Sequence, residues 1–142
     1  MQREEFELRI CEMLPGVSKD AMGNFTSYAE ELERETEERS EDIYDAFYVE
    51  LALVKRDYGA AIAKSLFDYG EQVTFNYFEL RGAARLAAQG WTLEQIGEYV
   101  MENGCDATPE EAMESRLALK NFQVENPDFL DAPMETPQQE MR

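Results

Sequence analysis

The sequence predicts a mostly α-helical protein: a compact helical bundle of about five to six helices, with a helix-turn-helix-like tri-helical C-terminal half. Three observations carry this expectation. Apolar residues recur every three or four positions, as along Ile43, Phe47, Leu51, Val54, Tyr58, Ile62, Leu66 and Tyr69. Cap-type residues open such runs, as in Asn76-x-x-Glu79 and Thr92-x-x-Gln95. Turn formers such as Pro15-Gly16 and Asn103-Gly104 separate them. The 142 residues favour one domain over 1–125, followed by a flexible, Pro-containing tail over 126–142. A chain of this length buries roughly two thirds of its unfolded surface.

Taken in order, Phe6, Ile10 and Met13 or Leu14 set the face of a first helix, which Pro15-Gly16 stops. Residues 15–24 read as a loop, with Gly23-Asn24 as a turn. A second helix starts near Phe25 or Thr26, with Tyr28 and Leu32 as its clear core positions. Ser40 is placed to cap the next helix, with Glu41 and Asp42 in its first turn. The long apolar ladder follows, with Gly59 as a bend or break and Gly70 as its end. A short extended piece fits within residues 71–76, which hold Val73, Thr74 and Phe75. Helices then run over Tyr77–Gln89, from Thr92 to Asn103-Gly104, and from Thr108-Pro109 to about Phe122. Met113, Leu117 and Leu119 are the apolar positions of the last.

Charge dominates the composition. Thirty-one acids oppose thirteen bases, giving a formal net charge of −18, and there is no histidine. The middle of the chain, 51–100, is nearly neutral, so the excess acid lies toward both ends. Its densest block is Glu30, Glu31, Glu33, Glu35, Glu37, Glu38, Glu41, Asp42 and Asp45, opposed only by Arg34 and Arg39. As one continuous helix this block would span about 24 Å. That is one net charge per about 3.4 Å, close to the phosphate spacing along one DNA strand. A second acidic group, Glu110, Glu111 and Glu114, opens the last helix. Such charge disfavours direct contact with nucleic acid or an anionic membrane and favours a basic partner.

The stretch from Ala83 to Gly97 resembles the opening of a helix-turn-helix unit. Its third helix begins with Glu110, Glu111 and Glu114, which would repel phosphates where such a unit must attract them. The tri-helical shape is therefore expected without direct nucleic-acid binding. Catalytic chemistry finds little footing. Without histidine there is no Ser-His-Asp or Cys-His arrangement, and neither a Walker-type nor a dinucleotide-binding glycine motif occurs. The expectation is a non-enzyme with no cofactor and no metal. Cys11 and Cys105 read as reduced, core or incidental thiols. With no signal-like N-terminus and no membrane-length apolar run, a cytoplasmic location is expected.

In size, charge and helicity across the whole chain, the protein resembles small acidic phage and mobile-element inhibitors of the anti-CRISPR and anti-restriction type, which mimic DNA. That resemblance implies a basic nucleic-acid-binding protein, such as a CRISPR nuclease, as partner. The twelve acids of the two groups are the candidate contact residues. The alternatives are an adaptor whose acidity serves solubility and, behind it, a helix-turn-helix regulator.

Overall fold

The computed structural model describes residues 1–105 and 107–126. They form seven α-helices and no strand: α1 (Arg3–Met13), α2 (Lys19–Glu35), α3 (Ser40–Tyr58), α4 (Ala60–Asp68), α5 (Leu80–Ala88), α6 (Leu93–Asn103) and α7 (Pro109–Glu125). The seventh helix, beyond the expected five or six, arises because Gly59, at φ +97°, splits the long ladder into α3 and α4. All but Asn126 of the expected tail lies outside the described residues.

The core forms around aromatic rings. Phe6 of α1, Phe25 of α2, and Tyr44 and Phe47 of α3 are buried together. Phe6 lies 4.8 Å from Tyr44 and 5.3 Å from Phe25, and Phe25 lies 4.0 Å from Phe47, between ring centroids. Each such side chain contributes about 1.5–3 kcal/mol by leaving water. The predicted ladder is largely inside. Ile43, Phe47, Leu51, Val54 and Leu66 are buried, while Tyr58, Ile62 and Tyr69 are half-buried.

Helix directions follow from their end contacts. The α1 amino end meets the start of α3: the Met1 amino group donates to Asp45 Oδ1 at 2.5 Å. The two helices run in the same direction, and Lys55 Nζ donates to Met13 O at their far ends (3.0 Å). There it meets the negative end of the α1 dipole. α2 runs the opposite way, so its last turns lie beside the first turns of α1 and α3.

Several expected boundaries move. The loop expected over 15–24 is half helix. Ser18 Oγ accepts from Ala21 N (3.0 Å), and α2 starts at Lys19. Gly23 and Asn24 sit inside that helix because burial of Ala21, Met22 and Phe25 outweighs local turn preference. Ser40 is the first helical residue rather than the cap. Glu33 Oε1 accepts from Ser40 N (2.6 Å) and does the capping from the preceding helix. The extended piece expected near Val73 is irregular chain between two 3-10 turns, Tyr69–Glu71 and Tyr77–Glu79.

The expected C-terminal starts form as proposed. Thr92 and Gln95 exchange backbone-to-side-chain hydrogen bonds, as do Thr108 and Glu111. α5 packs on α6 across Gly90, which has φ +99°. α7, however, packs chiefly on α3. The helix-turn-helix-like pair is present, and its third helix packs mainly on α3 while ion pairs from Arg81 and Arg85 hold it to α5. No residue of α7 is fully buried, and the expected apolar positions Met113 and Leu117 are 66 % and 59 % exposed. No helix among the described residues is long and apolar enough to cross a membrane.

Candidate partner-binding surface

The antiparallel run of α2 against α1 and α3 gathers acid at one end of the bundle. The first turn of α1 brings Glu4 and Glu5. The last turns of α2 bring Glu30, Glu31, Glu33 and Glu35. The link brings Glu37 and Glu38, and the start of α3 brings Glu41, Asp42 and Asp45. Arg3, Arg34 and Arg39 are the arginines of the same segments. The chain between Glu30 and Asp45 leaves the helix between Glu35 and Ser40, in keeping with the helix start expected at Ser40, so the block does not run as one continuous helix. A folded-back corner replaces it, and the acids spread over a broad pole.

Individual roles differ within this pole. Arg3 Nη1 reaches Glu30 Oε2 at 3.2 Å, and Asp45 holds the Met1 amino group. Glu41 accepts from Arg39 and from Gln2 Nε2. Glu33 is occupied by the Ser40 amide. That hydrogen bond, together with Arg39 and Arg34, holds its carboxyl below the ordinary glutamate range. Glu38 hydrogen-bonds Tyr77, whose hydroxyl pKa is raised first by burial and then by that carboxylate. Glu31, Glu35, Glu37 and Asp42 are exposed. Among the described residues they form no salt bridge within 4.0 Å.

The second acidic group is built differently. Glu110 is exposed, but Glu111 and Glu114 serve the fold. Glu111 closes the capping box at Thr108 and pairs with Arg85. Burial alone would raise its pKa, yet the Thr108 amide and Arg85 together hold it low. Glu114 Oε1 takes Arg81 Nη2 at 2.9 Å, and its Oε2 takes Arg56 Nη2 at 2.7 Å. Arg56 also grips Asp57 at 2.7 Å, and Arg81 lies 3.7 Å from Asp57. These charges tie α7 to α3 and α5, so these two acids are not available as part of a free surface.

Two charged residues that matter here were not singled out in the sequence. Glu50 and Arg81 are 5 % and 3 % exposed. A signal existed for Glu50: it is the lone acid in the run Phe47-Tyr48-Val49-Glu50-Leu51, three residues after Phe47 and four before Val54. A charge on the buried face of a helical ladder asks for a partner or a purpose. Among the described residues, no group of three or more His, Cys, Asp or Glu side chains is placed to hold a metal ion. No protein-family model matches the chain, and no match was found among curated proteins or solved structures.

Proposed function

We propose that the protein is a binding inhibitor that covers the cationic, nucleic-acid-binding surface of a partner protein, a nuclease of the CRISPR type among the fitting targets. One observation supports this above the rest: eleven carboxylates of three helices and one link meet at one pole with three arginines among them. Carboxylates there would take the lysine and arginine positions that phosphates otherwise occupy. The contact set is Glu31, Glu35, Glu37, Glu38 and Asp42, with Glu30, Glu41 and Asp45 at its edge. Glu111 and Glu114 leave the set because the protein's own arginines hold them.

The test is inhibition of DNA cleavage by a guide-loaded CRISPR nuclease at several salt concentrations. Inhibition weakens as salt rises, and Glu35→Lys, Glu38→Lys and Asp42→Lys together weaken it about tenfold or more. Glu12→Lys, at an exposed acid outside both groups, leaves it unchanged. Inhibition that ignores both salt and the triple reversal would refute the reading.

A second reading, a non-enzymatic adaptor, is favoured by Met113, Leu117 and Val124. They stand exposed along α7 at spacings of four and seven. Met113→Ser with Leu117→Ser would abolish partner capture in that case, and the charge reversals would not.

A further inference from the structure

A cavity of about 180 Å³ opens between α3, the Tyr77–Glu79 turn and α7. Ala46, Tyr77, Phe78 and Leu119 give it apolar walls, and Glu50 and Ser115 give it polar groups. The rings of Tyr77 and Phe78 meet edge to face at 5.5 Å. Glu50 is 5 % exposed and, among the described residues, forms no salt bridge within 4.0 Å. Its carboxyl accepts a hydrogen bond from Ser115, and Arg81 acts on it through space. Arg81 directs its own close contacts to Glu114 and Asp57 and donates from Nη1 to Ser115 Oγ at 3.5 Å. A carboxylate has about four acceptor positions, so Glu50 can accept a further donor from the cavity beside the one from Ser115. Burial raises its pKa, with Glu111 and Glu114 adding to the effect against Ser115 and Arg81.

We propose that this cavity binds a small organic ammonium ion, with its amine on Glu50 and a single apolar ring or branched chain between Tyr77, Phe78 and Leu119. A protonated amine supplies both the charge and the donors that a buried carboxylate lacks. The neighbouring aromatic rings favour the same cation. The volume limits the ligand to about one ring with a short arm, since an apolar cavity of about 150 Å³ accepts one benzene. Arg116, which also lines the cavity and is exposed, disfavours a second positive charge. The ligand is therefore a monocation. This inference does not rest on the acidic pole, and its test uses no macromolecular partner.

The probe is 2-phenylethylammonium chloride, titrated into the full chain at constant ionic strength and followed by calorimetry and amide chemical shifts. Neutral 2-phenylethanol serves as the shape control. The expected result is saturable one-to-one binding, with the alcohol about tenfold weaker or worse. Glu50→Gln lowers ammonium affinity about tenfold. Ala112→Leu, which fills the cavity from α7, removes binding while the circular dichroism stays helical. Glu35→Lys with Asp42→Lys leaves binding unchanged. Equal affinity for the alcohol, or binding that survives both Glu50→Gln and Ala112→Leu, would overturn the proposal. So would the lack of saturable binding up to about 10 mM.

Discussion

Arg81 of α5, nearly fully buried, meets Glu114 of α7 at 2.9 Å, and the same carboxylate reaches Arg56 of α3 at 2.7 Å. This is the electrostatic fastening of a helix that has no fully buried residue of its own. The arginines hold the Glu114 carboxyl below the ordinary glutamate range through those hydrogen bonds.

Glu114→Ala leaves the Arg81 guanidinium buried, with Asp57 as its remaining salt-bridge partner at 3.7 Å. A broken buried pair costs several kcal/mol, but Glu114 is 41 % exposed and partly screened. The expected loss is about 1–2 kcal/mol in urea unfolding, with an unchanged m-value. Glu110→Ala, one turn earlier and exposed, is expected to show no measurable loss.

Two glycines predict opposite signs. A Cβ on Gly82 would lie 2.3 Å from Cys105 O and 2.5 Å from Cys105 Sγ. The obstacle is backbone, so Gly82→Ala is expected to cost about 2–3 kcal/mol or more. Gly23, inside α2, would bring its Cβ within 4 Å of nothing. Gly23→Ala there is expected to add about 0.5–1 kcal/mol through helix propensity and a less flexible unfolded chain. Thermal unfolding of both variants reads the contrast directly.

The pH dependence of stability has two components of opposite sign. Glu114 and Asp57 are held low chiefly by hydrogen bonds from arginine, and Glu111 is held low by the Thr108 amide and Arg85 despite its burial. Their contribution is complete above the ordinary carboxylate values and is lost as pH falls through the depressed folded values. Glu50 is raised by burial, so its folded state binds the proton more tightly than the unfolded one. Its contribution therefore declines as pH rises from the ordinary glutamate value through the raised one. Ser115, Arg81, Glu111 and Glu114 are the groups that act on it. Glu50→Gln removes that decline. The stability of the variant relative to the parent should thus increase with pH across that window, as read from urea midpoints at several pH values.

Repulsion among the acids of the pole should itself be measurable. With a formal charge of −18, added salt screens the repulsion and raises the melting temperature. Glu35→Lys should raise it at low salt. Glu33→Ala should lower it, because that carboxylate accepts the Ser40 amide and stands in for the missing cap of α3. A scanning-fluorimetry series at two salt concentrations separates these two acids, which lie two positions apart.

Much of the helical content was legible because its signals are local. The ladder through Ile43, Phe47, Leu51 and Val54, and the boxes at Thr92 and Thr108, depend on neighbours three or four positions away. The errors lie where distant packing overrode a local preference. Gly23-Asn24 was absorbed into α2 by the burial of Ala21 and Phe25, and α7 turned Met113 and Leu117 outward by packing on α3. The candidate site was half legible. Acid density marked Glu30 to Asp45, but density could not say which carboxylates the protein would use itself.

By itself the sequence determined the helical class, the excess of negative charge and the segments that carry it, since these follow from composition and short-range periodicity. The tertiary structure alone decided that α1, α2 and α3 bring their acids to one pole. It also decided that Glu114 is spent on Arg56, 58 positions away, and that Glu50 is buried beside a cavity. The physical reason is distance along the chain. An ion pair or a cavity is made by residues that only the packed fold brings together, and no spacing of three or four residues encodes it.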